Sequence, residues 1–349
     1  MISVIIPVYN IAKRQRIFKN AIQSVRNQTF DDLEIIIVND GSLDNSQVII
    51  DHIKKIDHRV RSLVKENGGV ESARREGIKN ASGEFIIHMD QDDLYMPDAF
   101  ERMLEIANSS EADVVVANNS RFFYNKRLQF GKKDTPSLKY EQVIDHDTFM
   151  SHYYQSFFGI NDFPVNIWNK LYRKSFLDSI PEPPLTNCII EDLSYNMHVL
   201  PYASRIAVIP DVTYLYRWGG WTNHFDPTIL STAITGYKLK KNLIEQYSLP
   251  FIKSTSIELL NYLNTYFYSM LEYEKVSDAT FKVEVKRVLG FPEVKEACAV
   301  VKHGMERFPH MDPIIKGDID ALYRIDQAVL DKNRLRNAMK RIALFFSNR

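Results

Sequence analysis

The stretch FIIHMDQDDLYMP, residues 85–97, joins a short apolar run to three carboxylates, those of Asp90, Asp92 and Asp93. The apolar run is typical of a buried strand, so this strand is predicted to end in a cluster of like charge. Neighbouring carboxylates repel one another and raise each other's pKa unless a cation or a set of hydrogen-bond donors holds them. The stretch therefore predicts a strand end that binds a partner.

Three similar strands precede this one. They are predicted over ISVIIPVYN (2–10), LEIIIVNDGS (33–42) and VRSLVKE (60–66), each followed by a segment with apolar residues at helical spacing. The second of these helices, residues 44–56, is predicted to begin with Asp44 as its N-cap. The alternation predicts an α/β domain whose sheet is mostly parallel and flanked by helices.

The predicted strand ends share a polar and aromatic character. Ligands of open α/β sheets bind outside the carboxyl ends of the strands, so we expect these residues to gather at one edge. They are Tyr9, Asn10, Asp40, Asn67, Gly68, Gly69 and residues 90–93.

The bulk composition excludes several classes of protein. With 349 residues, 45% hydrophobic residues and a formal net charge of zero, the chain is globular and has no global field for nucleic acid, so no nucleic-acid partner is expected. Cys188 and Cys298 lie too far apart for a CxxC metal site, which favours a reducing compartment. The first strand begins without a basic leader, so we expect a cytoplasmic protein with no signal peptide and no membrane span.

The pattern changes towards the C-terminus. Alternation weakens after residue 118, and from about residue 228 the sequence is helical. We therefore predict two domains, residues 1–225 and residues 226–349, the second shaping an acceptor site, an oligomer contact or a membrane contact.

The last stretch, DKNRLRNAMKRIALFFSNR (331–349), predicts a basic amphipathic helix. Its apolar face carries Leu335, Met339, Ile342 and Phe346. Two interpretations remain open: a helix packed on the body of the protein, or one that lies on an anionic membrane and places the protein peripherally on the inner face of the cell membrane.

The usual nucleotide-binding motifs are missing from the sequence. The first strand-to-helix turn, PVYNIAKRQ (7–15), has no glycine for a dinucleotide pyrophosphate, and no GxxxxGK[ST] motif occurs. Asp90-Gln91-Asp92 forms a D-x-D at a strand end instead, and its hard oxygen ligands suit Mn²⁺ or Mg²⁺. Short acidic turns are common, so this motif carries weight only in combination with others.

That combination resembles the family 2 glycosyltransferases of the GT-A fold, in their bacterial form. The resemblance covers about residues 1–225 and implies a Rossmann-like sheet flanked by helices, with no counterpart for the C-terminal helical region. It depends on the segments VIIPVYN, SVRNQTF, EIIIVNDGSLDNS, NGGVESARREGI, ASGEFIIHMDQDD, WNKLYRKSFL and IEDLSYN, in this order.

The resemblance implies a binding site for the nucleobase of a sugar donor. Pro7 and Tyr9 would line it, with Tyr9 as the stacking surface, and Asp40 would accept the uracil N–H. Asn67 would lie beside the donor. The alternative for Asp40 is that it only shapes its Asp-Gly turn.

The resemblance also implies a site for the diphosphate and a divalent cation. Arg74 would lie near the diphosphate or the acidic cluster, with adjacent Arg75 as the competing choice. Asp90 would meet the ribose or the water shell of the metal, and Asp92 would bind Mn²⁺ or Mg²⁺ directly. His224 would complete the metal shell or contact phosphate.

Catalytic and acceptor residues follow from the same resemblance. Asp192, in the acidic pair with Glu191, would be the base that takes the proton of the acceptor hydroxyl. Alternatively, the pair complements the dipole of a helix N-terminus. Trp168, Lys170 and Trp221 are predicted to bind the acceptor, although Trp168 equally suits the core.

The predicted function is an inverting, metal-dependent transfer of a sugar from a UDP-sugar to a hydroxyl of a glycan, glycoprotein or lipid-linked acceptor. Two alternatives are an inactive nucleotide-sugar-binding module, which would show a damaged metal or base motif, and a sugar nucleotidyltransferase. The nucleotidyltransferase would need a glycine- and lysine-bearing phosphate loop after the first strand, which PVYNIAKRQ lacks. The sequence names neither the sugar, the acceptor nor the oligomeric state.

Overall fold

The chain folds into two compact units, Met1–Gly220 and Trp221–Arg349. The structure is a computed structural model that describes residues 1–124, 129–132, 138–160, 163–186, 190–217, 225–301 and 311–347. Within these ranges, the side chains of residues 123–124, 129–132 and 334–347 are not described.

The first unit begins with four parallel strands in the order β3-β2-β1-β4. Strands β1 and β2 are buried along their whole length, which explains their continuous apolar sequence. All four predicted strands are confirmed: β1 Ile2–Val8, β2 Leu33–Asp40, β3 Val60–Lys65 and β4 Phe85–His88. The helices between them are α1 Gln15–Arg26, α2 Ser46–Ile56 and α3 Gly69–Lys79.

The predicted cap of α2 is wrong in one detail. Asn45, not Asp44, occupies the N-cap position. The Asp44 carboxylate instead accepts hydrogen bonds from the backbone N–H groups of Ala12 and Ser46, both at 2.9 Å. Asp44 thus ties the loop after β1 to the start of α2.

The sheet continues with six further strands and becomes mixed. These are β5 Leu94–Tyr95, β6 Val114–Tyr124, β7 Gln129–Lys132, β8 Gln142–Asp145, β9 Lys170–Arg173 and β10 Arg205–Arg217. Strand β9 lies antiparallel between β4 and β6, and β10 runs parallel to β6. The helices of this part are α4 Ala99–Ser110, α5 His146–Thr148, α6 Lys174–Ser179 and α7 Glu191–Val199.

The strand directions decide which residues meet. Because β6 and β10 run in the same direction as β4 and β1, their carboxyl ends lie at the same edge of the sheet. The antiparallel strand β9 brings its amino end, at Lys170, to that edge. The acidic turn after β4 therefore has β9 and β10 beside it.

Strand β10 was not predicted from the sequence. Its ladder with β6 shifts register between Val208 and Tyr214, around Pro210. Proline lacks the N–H that a strand ladder needs, so the sequence of β10 resembles two short strands and not one long strand. The Asn118 side chain bonds the Pro210 carbonyl at 2.8 Å and joins the two strands there.

The second unit is helical, as predicted, with an apolar core that includes Leu260, Phe267 and Phe281. Its helices are α8 Thr228–Tyr247, α9 Ile252–Ser269, α10 Asp278–Leu289, α11 Pro292–Val301, α12 Met311–Lys316 and α13 Ile319–Ser347. Within the described ranges, no helix combines the length and apolar character that crossing a membrane requires. The apolar face predicted for residues 331–349 lies outside the described side chains, so both interpretations of that stretch stay predictions.

Candidate active site

The acidic turn after β4 is anchored to β10 by its most buried carboxylate. Asp93 is 1% exposed and accepts hydrogen bonds from the Tyr214 hydroxyl at 2.8 Å and the Arg217 backbone N–H at 2.7 Å. Burial raises the pKa of Asp93 well above its usual range, and the charges of Asp90 and Asp92 add to the effect. Asp93 thus holds the turn, while its two acidic neighbours are partly exposed.

Arg74 joins this turn to the start of helix α7. Its guanidinium donates to Asp90 at 2.8 Å and to Asp192 at 2.6 Å, and its side chain is 6% exposed. Asp192 lies in the first turn of α7 and is 118 residues away in sequence. The contact places the predicted base beside the D-x-D motif.

The neighbouring arginine has a different role. Arg75 pairs with Glu182 at 2.7 Å and also donates to the Pro183 carbonyl. Of the two adjacent arginines, Arg74 is therefore the one that reaches the acidic cluster.

Burial and mutual repulsion set the charges of the cluster. Burial raises the pKa of Asp90 to about 6 against the opposing charge of Arg74, and Asp192 and Asp92 raise it further. Burial also raises the pKa of Glu191 to about 8, with Asp192 contributing. Burial disfavours the charge of Arg74, but Asp192 and Asp90 raise its pKa above the usual value. At neutral pH, Glu191 is mostly protonated and Arg74 is charged.

Asp92 is held by Arg217, a residue that sequence reasoning missed. The Arg217 Nε lies 3.1 Å from Asp92 Oδ2, and a second guanidinium nitrogen contacts the same oxygen. The two residues are 125 positions apart. Arg217 ends β10, so only a prediction of that strand would have placed it at this edge.

Asp40 is enclosed by the loop after β3. It is 4% exposed and accepts from Lys65 at 2.8 Å and from the backbone N–H groups of Gly68 and Gly69 at 3.0 and 2.8 Å. Gly41 has a φ of +65°, and a Cβ there would lie 2.6 Å from the Asn67 nitrogen. The close approach of these two loops therefore requires a glycine after Asp40.

Tyr9 offers an aromatic face beside the acidic turn. It is 43% exposed, and its backbone N–H donates to the Gln91 side chain at 2.9 Å. Gln91, the middle residue of the D-x-D motif, thus ties the loop after β1 to the turn after β4.

Two of the predicted acceptor residues, Lys170 and Trp168, lie at or just before the amino end of β9 and are less accessible than Tyr9. Lys170 is fully buried, and its ammonium donates to the Asn166 carbonyl. Burial lowers the pKa of Lys170 to about 7, and the charge of Asp192 opposes this shift. Trp168 stacks on Tyr214 and Tyr216, with ring centroids 4.6 and 5.4 Å apart, and packs on the core.

Residues 3–178 match the model of glycosyl transferase family 2. The chain belongs to this family.

Two curated relatives agree with the family assignment. The Bacillus subtilis protein EpsH, a glycosyltransferase by name, is 32% identical over 62% of this chain and 60% of its own length. Glycosyltransferase GlyA of Streptococcus pneumoniae is 27% identical over 69% of this chain and 36% of its own length. The chain therefore spans less than two thirds of either relative.

Solved structures confirm the predicted GT-A fold. The crystal structure of Staphylococcus aureus TarS 1–349 in complex with UDP-GlcNAc matches with a TM-score of 0.62. The match covers 95% of this chain and 92% of that chain at 18% sequence identity, so it shows the fold alone.

The structure brings together most of the residues that the family resemblance assigned. Asp90, Asp92, Arg74, Glu191 and Asp192 form one connected cluster. Tyr9 and Asn67 follow β1 and β3, and Asp40 ends β2, at the same edge of the sheet. Pro7, in contrast, is buried within β1, opposite Val38 of β2. Trp221 and His224 lie outside the described residues, so their assigned roles stay predictions.

Members of the family commonly use divalent metals. In the part of the chain that the structure describes, no three His, Cys, Asp or Glu side chains are arranged to hold a metal ion. Mn²⁺ and Mg²⁺ at nucleotide sites need only one or two protein carboxylates, because water and substrate phosphates complete the shell. Asp90 and Asp92, with side chains 29% and 28% exposed, satisfy that smaller requirement.

Proposed function

We propose that this protein is an inverting, metal-dependent glycosyltransferase that moves a sugar from a UDP-sugar to an acceptor hydroxyl. The observation that carries the proposal is the contact of Arg74 with both Asp90 and Asp192. Through this contact, the carboxylate suited to a cation that binds the diphosphate, Asp90, lies close to the carboxylate suited to take the proton of the acceptor, Asp192. Membership of glycosyl transferase family 2 supports the reaction class.

The donor nucleotide would bind where the loops after β1, β2 and β3 meet. The exposed ring of Tyr9 suits stacking on a nucleobase. Asp40 Oδ1 accepts two hydrogen bonds and Oδ2 accepts one, so a lone pair of Oδ2 is left for a uracil N–H. TarS binds UDP-GlcNAc, which supports a UDP-sugar as the donor class.

A divalent cation would be held by Asp92, with Asp90 close to its water shell. Because Arg217 now contacts Asp92 Oδ2, the cation and this guanidinium would compete for the same oxygen. When bound, such a cation supplies positive charge for the leaving diphosphate.

Asp192 would act as the base. Arg74 fixes one of its oxygens, and the position at the start of α7 leaves its side chain 22% exposed. As the acceptor oxygen bonds to the anomeric carbon, the bond from that carbon to the diphosphate oxygen breaks, and Asp192 takes the hydroxyl proton. A single displacement of this kind inverts the anomeric centre.

Glu191 would not compete with Asp192 for the proton. Burial and the charge of Asp192 raise the pKa of Glu191 to about 8, which favours the protonated form, and a protonated carboxyl group can donate a hydrogen bond. The two adjacent carboxyl groups therefore divide into a base and a neutral donor.

A panel of UDP-sugars incubated with Mn²⁺ tests the proposal. We expect metal-dependent release of UDP from one sugar, and faster release when an acceptor is present. If UDP-sugars bind but the protein releases UDP from none of them, the protein is a binding module instead. If no UDP-sugar binds, the donor assignment is wrong.

A further inference from the structure

A cavity of about 320 Å³ lies between helices α3, α6 and α7, away from the nucleotide loops. Its walls are mainly apolar, and this volume is in the range of small-molecule sites. The apolar side chains that line it are Ile78, Ile167, Leu177, Ile180, Leu185 and Val199.

The cavity shares two lining residues with the catalytic cluster. Arg74 and Glu191 line the cavity, and Arg74 bonds Asp192 at 2.6 Å. Buried Arg74 also has a nitrogen, Nε, without a hydrogen-bond partner in the described part of the chain. A molecule filling the cavity would therefore contact Arg74 and Glu191, the two residues next to the proposed base Asp192.

The outer wall is a proline-rich strap, residues 181–186, that is fixed to helix α3. Arg75 pairs with Glu182 at 2.7 Å, and Glu71 accepts from the backbone N–H and the hydroxyl of Thr186, both at 2.8 Å. Proline residues limit the freedom of the strap further. The cavity is therefore formed before any ligand arrives, which lowers the entropy cost of binding.

Most of the charges around the cavity are paired, and Lys79, which also lines the cavity, is exposed to solvent. Arg75 is neutralised by Glu182, and Lys174 pairs with Asp178 at 2.7 Å. An anionic or cationic ligand would find few free charges here, whereas an apolar group would gain from leaving water. The walls thus favour a neutral, apolar ligand.

We propose that this cavity binds an apolar aglycone of the acceptor, so that the acceptor is an amphipathic glycoside whose sugar hydroxyl reaches Asp192. The inference rests on the proposed function and names its acceptor class. It assigns Leu177 and Ile78 as specificity-determining contacts, because they form apolar walls without contacting the reacting atoms.

The test compares two glycosides with the same sugar, hexyl β-D-glucopyranoside and methyl β-D-glucopyranoside, by calorimetry below the micelle concentration. We expect the protein to bind the hexyl compound at least about tenfold more tightly, because its chain buries additional methylene groups. Leu177→Trp should fill the cavity and reduce the preference to less than about twofold.

Val48→Trp is the matched control, since Val48 is 67% exposed on α2 and does not line the cavity. It should keep the full preference. Leu177→Gln, which makes the wall polar without adding bulk, replaces Leu177→Trp if that variant does not fold. Equal affinity of the unaltered protein for both glycosides, no binding of either, or a preference that survives both Leu177 variants would overturn the proposal.

These outcomes are separate from those of the donor experiment. The glycoside preference needs no catalysis, whereas UDP release from a UDP-sugar needs no acceptor cavity. A protein that releases UDP but shows no hexyl preference would keep the proposed function and lose this inference. If the protein shows the preference but neither binds nor cleaves a UDP-sugar, the proposed function is wrong. The assignment of the cavity's ligand as an acceptor is then wrong as well.

Discussion

The two sides of the active-site cluster are assembled in different ways. On the nucleotide side, each polar residue follows its own strand, and Asp40 is held by Lys65, Gly68 and Gly69 from the next loop. On the base side, Arg74 and Asp192 are 118 residues apart, and at the acidic turn between the two sides, Arg217 and Asp92 are 125 apart. Contacts between neighbouring strand ends thus form the nucleotide side, whereas the base side depends on contacts between residues that are remote in sequence.

This difference has an energetic consequence. Two backbone N–H groups and the Lys65 side chain share the support of Asp40, so the loss of one contact leaves others in place. Arg74 is a single buried cation for two carboxylates, and removal of one partner of a buried ion pair leaves an uncompensated charge. Substitutions on the base side should therefore have the larger effects.

Arg74→Met should have the largest effect. It leaves Asp90 and Asp192 without their cation, and we expect the free energy of unfolding of the first unit to fall by about 3–5 kcal/mol. Urea unfolding measures this. In the control Arg75→Met, the lost pair with half-exposed Glu182 should cost about 1 kcal/mol or less. Equal losses in the two variants would show that the position of Arg74 between two carboxylates does not set its contribution to stability.

Asp192→Asn should come next. The amide can still accept from Arg74 but cannot take a proton, so sugar transfer should fall by roughly 10²- to 10⁴-fold. UDP affinity, measured by calorimetry, should stay unchanged because the proposed nucleotide site does not include Asp192. Asp312→Asn, in an exposed pair with Lys316 that does not line the cavity, serves as the control and should transfer normally. An active Asp192→Asn variant would show that the base lies elsewhere.

Lys170→Met should change how stability depends on pH. The folded protein holds Lys170 at a pKa of about 7, below the ordinary value of 10.5, so between these values the unfolded chain binds a proton that the folded chain lacks. Stability contributed by this residue therefore rises with pH across that window. Relative to Lys170→Met, the unaltered protein should gain about 1–2 kcal/mol between pH 7 and pH 9. Parallel stability curves for the two proteins would contradict the buried position of this lysine.

Arg217→Met should have the smallest effect, on metal binding. Without the competing guanidinium, Asp92 should bind Mn²⁺ severalfold more tightly, equivalent to about 1 kcal/mol for a partly buried pair. Titration of Mn²⁺ followed by electron paramagnetic resonance measures this. Arg173→Met is the control, because Arg173 pairs with exposed Glu84 away from the cluster. Weaker Mn²⁺ binding in Arg217→Met would indicate that the arginine supports the site.

The difference between contacts of neighbouring strand ends and contacts of residues remote in sequence also explains what the sequence could predict. Strands β1, β2 and β4 are mainly apolar runs followed by polar residues, so their order along the chain predicted the edge at which Tyr9, Asp40 and Asp90 gather. Arg217 escaped prediction because Pro210 interrupts the pattern of β10. The choice between Arg74 and Arg75 was open for a related reason: both lie on α3, and only the position of α7 decides which one reaches Asp192.

Burial limited the predictions for the acceptor residues. Lys170 has the sequence character of a ligand-binding cation, yet the antiparallel strand β9 places it inside the sheet, fully buried. Trp168 stacks on two tyrosines of β10, a strand that was not predicted. A residue type indicates a chemistry, but its accessibility depends on strands that are remote in sequence.

Calorimetric titration of UDP in the presence and absence of Mn²⁺ tests the central claim most directly, with the unaltered protein compared with Asp92→Asn. The acidic turn after β4 is proposed to bind the diphosphate through a cation. UDP should therefore bind the unaltered protein in a Mn²⁺-dependent manner, and Asp92→Asn should lose that dependence and bind at least about tenfold more weakly. Equal, Mn²⁺-dependent affinity in both proteins would contradict the account.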